Sequence, residues 1–369
     1  MSTISFEYFR LPVMIFLIIL TGCSGKNGKS NPGLLPPASG QSAEIILSMD
    51  SLQWRGALGD SIRQIFSAEI QGLPREENLF TLRYVDPRKM TGFLREVSNL
   101  MFITTFDQKT RGARIIQNYF TKETREKIKE NPNYFLVTSK DVYAIGQEVM
   151  YLFGQSEESL MKNLHEHRQR LVDHLNTLER ERLSKKIFKQ REKSISKAIN
   201  ERFNFNILFP HGYKLALMNN NFIWVRYMDE EIDKNIIISF TNYVDRNQFN
   251  TDSIIGFRDD ICKKYIYEDK ENMPESYLKT QTEVPFIPVI SKQINFNGMY
   301  AIETRGLWKT NNESMGGPFI GITVVDESIN RLYYIEGFLY SPGKPQRELV
   351  RELETILHTF TLDSVTVSK

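Results

Sequence analysis

The sequence has few of the residues that build disulfide frameworks or metal centres, with 2 cysteines and 5 histidines among 369 residues. Two cysteines cannot form a disulfide framework. Charge of one sign is not in excess either, since 47 lysines and arginines face 45 aspartates and glutamates, for a net charge of +2. This balance argues against nucleic acid as the main partner, and no nucleic-acid partner is expected. Long apolar runs are scarce as well, which excludes a protein with several membrane spans.

The composition is otherwise that of a globular protein. Hydrophobic residues make up 41% and charged residues 25% of the chain. These fractions exclude wholesale disorder. At roughly 100–200 residues per domain, the length predicts about two domains.

The one long apolar run, residues 11–20, ends close to a cysteine. It is too short for a membrane-spanning helix, which needs roughly 20 residues, and it fits the hydrophobic part of an export signal. Residues 20–23 read Leu-Thr-Gly-Cys and resemble the bacterial lipobox. The resemblance implies a diacylglyceryl group on the sulfur of Cys23, cleavage before it, and acylation of the new amino group, with palmitate-type chains. A short membrane-buried segment with an incidental cysteine is the alternative.

Acylation would hold the mature chain at a membrane, because two or more acyl chains give stable anchoring. Ser24 follows the lipid cysteine, whereas an aspartate there would resemble an inner-membrane retention signal. We therefore expect a cell-envelope lipoprotein at the outer membrane. The sequence leaves open whether its domains face the periplasm or the outside.

The chain is divided by changes in its periodicity. Residues 1–22 are the predicted lipoprotein signal peptide, and residues 23–41 are the lipidated cysteine with a flexible tether rich in Gly, Ser and Pro. In residues 42–155 short apolar strands alternate with helical patterns, which predicts an N-terminal α/β domain. One helix is predicted from a cap at Asp50 or Ser51 to about residue 68, with Leu52 on its buried side, and another over residues 111–130.

The second half of the chain has a different pattern. Residues 156–204 predict a long basic helical connector, either one helix or a helix pair. Residues 205–369 predict a C-terminal α+β domain, a mainly antiparallel sheet with covering helices. The fold class is therefore α+β, with two α/β-type sandwich domains joined by a long charged helix. The order of strands and last helix also resembles the PsbP/Mog1-like sandwich.

Several short segments resemble an uncharacterised family of Gram-negative envelope lipoproteins, defined by a lipobox, a tether and a domain of unknown function. They are residues 39–50, Trp54 with residues 59–60, residues 72–74 and residues 79–80. The resemblance implies no activity and no catalytic residues.

Candidate catalytic and metal-binding residues are few. His165 and His167 are two residues apart, so on a helix they point about 200° apart and cannot share one ion. Cys262 lies on the apolar stripe of its helix and is interpreted as a core residue. The paired acids at 229–231 and 259–260 are interpreted as solvated groups. No catalytic, cofactor-binding or metal-binding residue is therefore predicted.

The basic connector has two interpretations. Arg180, Lys185, Lys186, Lys189 and Arg191 are interpreted either as a weak contact to anionic lipid or as a solvated helix face.

Two function classes stay open. The first is a lipid-anchored binding or assembly module with an envelope protein partner. The second is a hydrolase or transferase of envelope material, with carboxylates brought together by the fold. A pocket of convergent ionisable groups with disturbed pKa values would favour the enzyme, and a wide apolar patch without them would favour the binding module.

Overall fold

A computed structural model describes residues 35–283 and 287–363 of the chain. The described residues from Pro36 onward form one compact unit. The predicted signal peptide and lipid site at Cys23 lie outside the described residues. Within the described ranges, every helix is too short or too polar to cross a bilayer.

The N-terminal half of the unit, here called the N-lobe, is built on a five-stranded sheet with the order β2-β1-β3-β5-β4. Neighbouring strands are parallel except for β4, which runs antiparallel to β5. The strands are β1 (Glu44–Ser48), β2 (Thr81–Val85), β3 (Asn99–Thr105), β4 (Leu136–Lys140) and β5 (Glu148–Gly154).

Helices cover both faces of this sheet, because successive side chains of a strand point to opposite sides. Ile45 and Leu47 of β1 pack against one set of helices, whereas Ile46 packs on the other side with Ile116. The helices are α1 (Ser51–Arg55), α2 (Ala57–Phe66), α3 (Gly92–Arg95), α4 (Arg111–Gln117), α5 (Lys122–Glu130), α6 (Glu157–Glu166) and α7 (Arg168–Ile187).

The helix predicted from residue 51 to about residue 68 begins where expected, but in the structure it is divided in two and its residue Leu52 is exposed. Asp50 caps its start as expected, with its carboxylate accepting a hydrogen bond from the Leu52 amide. Gly56, however, is extended and divides the segment into α1 and α2. This break turns Leu52 outward, and its side chain is 58% exposed instead of buried. The helix predicted over residues 111–130 is likewise divided, into α4 and α5.

The end of the predicted flexible tether is also different from the expectation, because its last residues are hydrogen-bonded to the N-lobe. The Ala38 amide donates to the carbonyl of Ile145, and the Ser39 amide donates to the carbonyl of Glu96. These bonds attach the last tether residues to the N-lobe, because backbone polar groups that leave water need partners.

The C-terminal half, here called the C-lobe, contains a nine-stranded antiparallel sheet. Its order is β10-β11-β13-β14-β15-β9-β8-β7, and β12 pairs with β13. The strands are β7 (Lys214–Met218), β8 (Phe222–Met228), β9 (Asp233–Asn242), β10 (Tyr267–Asp269), β11 (Met273–Thr280), β12 (Ile290–Phe296), β13 (Met299–Thr310), β14 (Gly316–Asp326) and β15 (Arg331–Tyr340). A separate pair, β6 (Phe205–Asn206) and β16 (Thr361–Leu362), closes one side.

Two apolar cores lie on opposite faces of this sheet. One face packs against α8 (Lys193–Phe203) and α10 (Arg347–Leu357). The other face packs against α9 (Thr251–Tyr265), which contributes the buried residues Ile254 and Ile261. The α+β class and the antiparallel sheet with covering helices are thus confirmed.

The segment predicted as a long helical connector is three helices, α6, α7 and α8. The breaks fall at His167 and after Phe188, and Leu164, Leu171 and Leu178 pack into the N-lobe core. The segment is therefore largely part of the N-lobe core and is not a free spacer.

The sequence interpretation also missed β10, β11 and β12, whose short and polar segments have weak strand periodicity.

The lobes are joined by a docking segment, residues 69–81, which leaves the N-lobe and contacts the C-lobe. Leu73 is 3% exposed and packs within the C-lobe core. Gly72 has a φ of +80°, and a Cβ atom there would lie 2.9 Å from the Cβ of Arg305 on β13. The Glu77 carboxylate accepts hydrogen bonds from the amides of Gln346 (2.6 Å) and Arg347 (2.9 Å). An N-lobe carboxylate thus caps α10 of the C-lobe, where the helix dipole favours negative charge.

Candidate functional site

A cleft lies beside the docking segment, between α2 and α7 of the N-lobe and β12, β13 and α10 of the C-lobe. Its volume is about 410 Å³, which is in the usual range for small-molecule sites. We call it the inter-lobe cleft.

Charged side chains of alternating sign form one wall of the cleft. Lys292 Nζ lies 3.2 Å from Glu303 Oε1, and Arg305 Nε donates to the same oxygen at 2.7 Å. Arg305 Nη2 also donates to Glu354 Oε2 at 2.8 Å, and Arg180 Nη1 donates to Glu354 Oε1 at 2.9 Å. The network joins α7 of one lobe to β13 and α10 of the other.

The network controls the ionisation of its carboxylates. Burial is the largest single influence on the pKa of Glu354 and raises it, but the charge and hydrogen bond of Arg305 together with the other basic neighbours outweigh burial and lower that pKa to about 2. Burial is also the largest single influence at Glu303, where Arg305 and Lys292 together outweigh it and lower the pKa. Burial, followed by the charge of Arg180, lowers the pKa of the adjacent His358 to about 4. At pH 7 both carboxylates are therefore ionised and the imidazole is neutral.

These pKa directions decide what the cleft can do chemically. A general acid at neutral pH needs a raised carboxyl pKa, as happens in apolar sites without a cationic partner. Glu303 and Glu354 are shifted the opposite way and are held by arginines. None of the described residues that line the cleft is Ser, Thr, Cys, Tyr or His. The cleft is thus suited to binding a polar or charged group, and Glu303 and Glu354 are poorly suited to donate a proton there at neutral pH.

The carboxyl ends of β1 and β3 form a second position to consider, because open α/β sheets bind ligands where the strand order reverses. Asp50 follows β1 there, and its Oδ2 accepts a hydrogen bond from Thr110 Oγ1 at 2.6 Å. A Cβ atom on Gly112 would lie 2.7 Å from the same oxygen. The chain's own carboxylate thus fills the space at the start of α4 that a bound anion would use.

Four of the histidines, including His165 and His167, have separate partners. His165 contacts Ser61, His167 stacks on Phe135, and His174 contacts Glu148 at 2.9 Å. His211 contacts Glu192 at 2.9 Å in a turn. Among the described residues, no three His, Cys, Asp or Glu side chains form a group that could hold a metal ion.

Cys262 and the paired acids have structural roles. Cys262 is fully buried, as expected, and burial raises the pKa of its thiol. Asp229 Oδ1 accepts hydrogen bonds from the amides of Glu231 and Ile232 in the turn before β9, and these bonds lower the pKa of Asp229. Asp259 Oδ1 accepts from the Thr280 amide at 2.8 Å.

The predicted basic contact is only partly available to a partner. Arg180 is bound to Glu354 in the cleft network. Lys185, Lys186, Lys189 and Arg191 are exposed, and none of the four forms a salt bridge within the described part of the chain. We call these four residues the basic surface.

Sequence reasoning missed the acidic half of the cleft network. Glu303 and Arg305 lie in an apolar strand, residues 299–310, in which isolated charges are a signal for buried ion pairs. That signal does not identify Glu354 as the partner of Arg305, because Glu354 lies 49 residues further along the chain. The contact depends on tertiary packing.

The two lobes correspond to two sequence families without assigned function. Residues 38–188 match the domain of unknown function DUF8532, and residues 192–359 match the domain of unknown function DUF4837. The chain therefore contains two uncharacterised domains, as the sequence resemblance led us to expect. No curated protein is significantly similar to the chain.

Solved structures of low similarity include two of Mog1. A Mog1 mutant is 10% identical, with 44% of this chain and 92% of that chain covered and a TM-score of 0.29. The Saccharomyces cerevisiae Ran-binding protein Mog1p is 11% identical, with 43% and 90% covered and a TM-score of 0.28. A Bacteroides thetaiotaomicron protein is 12% identical, with 44% and 46% covered and a TM-score of 0.24. At TM-scores this low, the matches support no further conclusion about the chain.

Proposed function

We propose that the protein is an outer-membrane lipoprotein, anchored through acyl chains on Cys23, whose two lobes form a binding or assembly module. The anchor is supported by the apolar run at residues 11–20 and the lipobox that follows it. The observation that carries the binding role is the inter-lobe cleft, whose charged wall joins both lobes. A ligand or partner side chain there contacts the N-lobe and the C-lobe together.

A hydrolase or transferase is the alternative function. It has to be considered because the inter-lobe cleft holds convergent ionisable groups with disturbed pKa values. The direction of the shifts is what supports binding. Perturbed pKa values also occur in structural ion-pair networks. Since Arg305 lowers the pKa of Glu303 and Glu354, these carboxylates are poor proton donors and weak bases at neutral pH.

Photo-cross-linking in the native envelope tests the binding role. A photoreactive amino acid at Gln169, an exposed residue of the cleft, is compared with one at Lys197, an exposed residue of α8 outside it. We expect a discrete cross-linked product from position 169 that is absent from position 197. No product at position 169, or the same products at both positions, contradicts the proposed site.

Mass spectrometry of the purified protein tests the anchor. We expect the mature chain to begin at Cys23, with a diacylglyceryl group on the sulfur and an acyl group on the amino nitrogen. The Cys23→Ser variant is the control, because it lacks the thiol and keeps residues 1–22. An unmodified thiol at position 23, or a leader that is still attached in the wild-type protein, contradicts the anchor.

We further propose that the basic surface contacts anionic lipid. A lysine or arginine near an anionic membrane contributes about 1 kcal/mol of attraction, and the tether would hold this surface close to the bilayer. Within the described chain its four side chains have no carboxylate partner, so their charge is available to lipid headgroups.

Vesicle binding by protein that begins at residue 24 checks this contact. Replacing the four residues of the basic surface by glutamine should weaken binding to vesicles with anionic lipid by tenfold or more, and the difference should diminish with added salt. A control variant loses the same charge from the exposed N-lobe lysines Lys109, Lys122, Lys127 and Lys129. Equal losses in both variants would show that only net charge matters.

A further inference from the structure

A second cavity, of about 130 Å³, lies on the C-lobe face that carries α9. It is lined by two of the three tryptophans of the chain, Trp224 and Trp308, together with Phe338 and Tyr340. Trp224 and Tyr340 are half-buried, so their rings are still partly open to solvent. We call this cavity the aromatic pocket. It is separate from the inter-lobe cleft, with which it shares no lining residue.

A buried amide in the wall of the pocket has an unused donor. Asn235 on β9 is 1% exposed, and its Oδ1 accepts a hydrogen bond from Trp224 Nε1 at 2.8 Å. Because an indole N–H can only donate, this bond fixes the amide with its oxygen toward the tryptophan. No hydrogen bond from the Nδ2 group to a described residue is present, and this group is not among the unpartnered side-chain atoms that are closed off from solvent. It is therefore open to a water molecule or a ligand in the pocket.

A neighbouring ion pair also has unused atoms. Arg226 Nη2 donates to Asp233 Oδ2 at 2.7 Å. Within the described residues, Arg226 Nε and Asp233 Oδ1 have no hydrogen-bond partner. Both atoms are closed off from solvent, so the ion pair forms part of the polar wall and Asn235 Nδ2 is the donor of this wall that a ligand can reach.

These groups select among ligand classes. The guanidinium of Arg226 already lies over the Trp224 ring at 4.9 Å and neutralises Asp233, so it would repel a second cation. The carboxylate of Glu268 in the wall disfavours an anion. An apolar ligand would leave Asn235 unpaired. A neutral ring with apolar faces and hydroxyl groups, each both donor and acceptor, meets all three conditions.

We infer that the aromatic pocket binds a neutral saccharide residue. One face of the sugar ring lies against Trp224 and Tyr340, and a hydroxyl group accepts from Asn235 Nδ2. The small cavity fits a single sugar residue, such as the end of a longer glycan. This inference does not depend on the lipid anchor or on the inter-lobe cleft.

Tryptophan emission tests the inference, because two of the three indoles line the pocket. The full-length protein, in a detergent without a sugar headgroup, is titrated separately with glucose, galactose, mannose, N-acetylglucosamine and N-acetylgalactosamine. At least one sugar should change the emission in a saturable way. The variants Asn235→Ala and Tyr340→Ala should each raise the dissociation constant of that sugar by about tenfold or more. Each variant removes one interaction of ordinary strength, and such a loss corresponds to about a tenfold change.

The matched control is Tyr300→Ala, which removes a tyrosine that is 53% exposed and lies outside the pocket. This variant should bind the sugar as the wild type does. Circular dichroism melting checks that the variants are folded, and the half-buried position of Tyr340 makes its variant the safer of the two. The inference is overturned if all five sugars leave the emission unchanged, if Tyr300→Ala weakens binding equally, or if choline binds in their place.

Discussion

Replacing Glu336 by glutamine should lower the free energy of unfolding by about 3–5 kcal/mol, the usual cost of removing one partner from a buried ion pair. Glu336 on β15 and Arg258 on α9 are both fully buried. Arg258 donates to the two carboxylate oxygens from Nε and Nη2, each at 2.8 Å. The Glu336→Gln variant keeps the size of the side chain but leaves the guanidinium with only the partly exposed Asp259, 3.4 Å from Nη1, as a countercharge.

The surroundings of the pair explain why the cost is large. Arg258 Nη1 donates to Thr280 at 3.0 Å, and its Cζ lies 4.1 Å from the centre of the Phe319 ring. Burial is the largest single influence on the pKa of Arg258 and opposes its charged form, but the charge and hydrogen bonds of Glu336 together with neighbouring groups raise that pKa. Because an arginine is not deprotonated in proteins, Arg258 stays charged when Glu336 is removed, in a place without water to solvate it.

Urea unfolding, followed by tryptophan emission, is the measurement. Two of the three tryptophans lie in the C-lobe, so the emission mainly reports the lobe that contains the pair. The control is Glu201→Gln, which breaks an exposed pair with Lys197, where both side chains are more than 60% exposed and the expected cost is below about 1 kcal/mol. Equal midpoints for the two variants would contradict the prediction.

A double variant separates the net value of the pair from the cost of leaving a charge unpaired. Replacing Arg258 by methionine together with Glu336 by leucine removes both charges and keeps apolar volume. We expect this variant to be more stable than Glu336→Gln alone. If it is equally or less stable, hydrogen bonds such as those to Thr280 and Tyr334 contribute more than the charge pair.

Local patterns in the sequence predicted the elements whose signals are strong. The cap at Asp50 and the C-terminal antiparallel sheet with covering helices follow from capping chemistry and periodicity. The division at Gly56 was missed because an isolated glycine only weakens a helix signal. β10 to β12 were missed because their side chains are mostly polar and half-exposed.

The candidate sites were less predictable than the fold, for a physical reason. Glu336 stands in a strand of apolar residues, so its charge signals a buried partner, whereas Arg258 lies on a helix with several other charged residues and gives no such signal. The two are 78 residues apart, and no local pattern pairs them. The inter-lobe cleft has the same property, since its walls come from both families of domain.

Replacing Leu73 by alanine should lower the free energy of unfolding by about 2–5 kcal/mol, the range for a buried leucine that leaves a cavity. Leu73 belongs to the docking segment of the N-lobe but packs in the C-lobe core. The variant therefore removes apolar contact at the junction of the lobes, next to the Glu77 cap on α10. We also expect faster proteolysis of the docking segment, because local stability limits cleavage.

Leu52→Ala is the matched control, since it makes the same chemical change at a leucine that is 58% exposed. Its effect should stay within about 0.5 kcal/mol. Urea unfolding compares the two variants, and limited proteolysis locates the cleavage. A Leu73→Ala variant as stable as Leu52→Ala would mean that the lobes are held together chiefly by α7 against α10 and by the ion pairs between them. In that case Arg180→Met, which removes the α7 contact to Glu354, should instead separate the lobes.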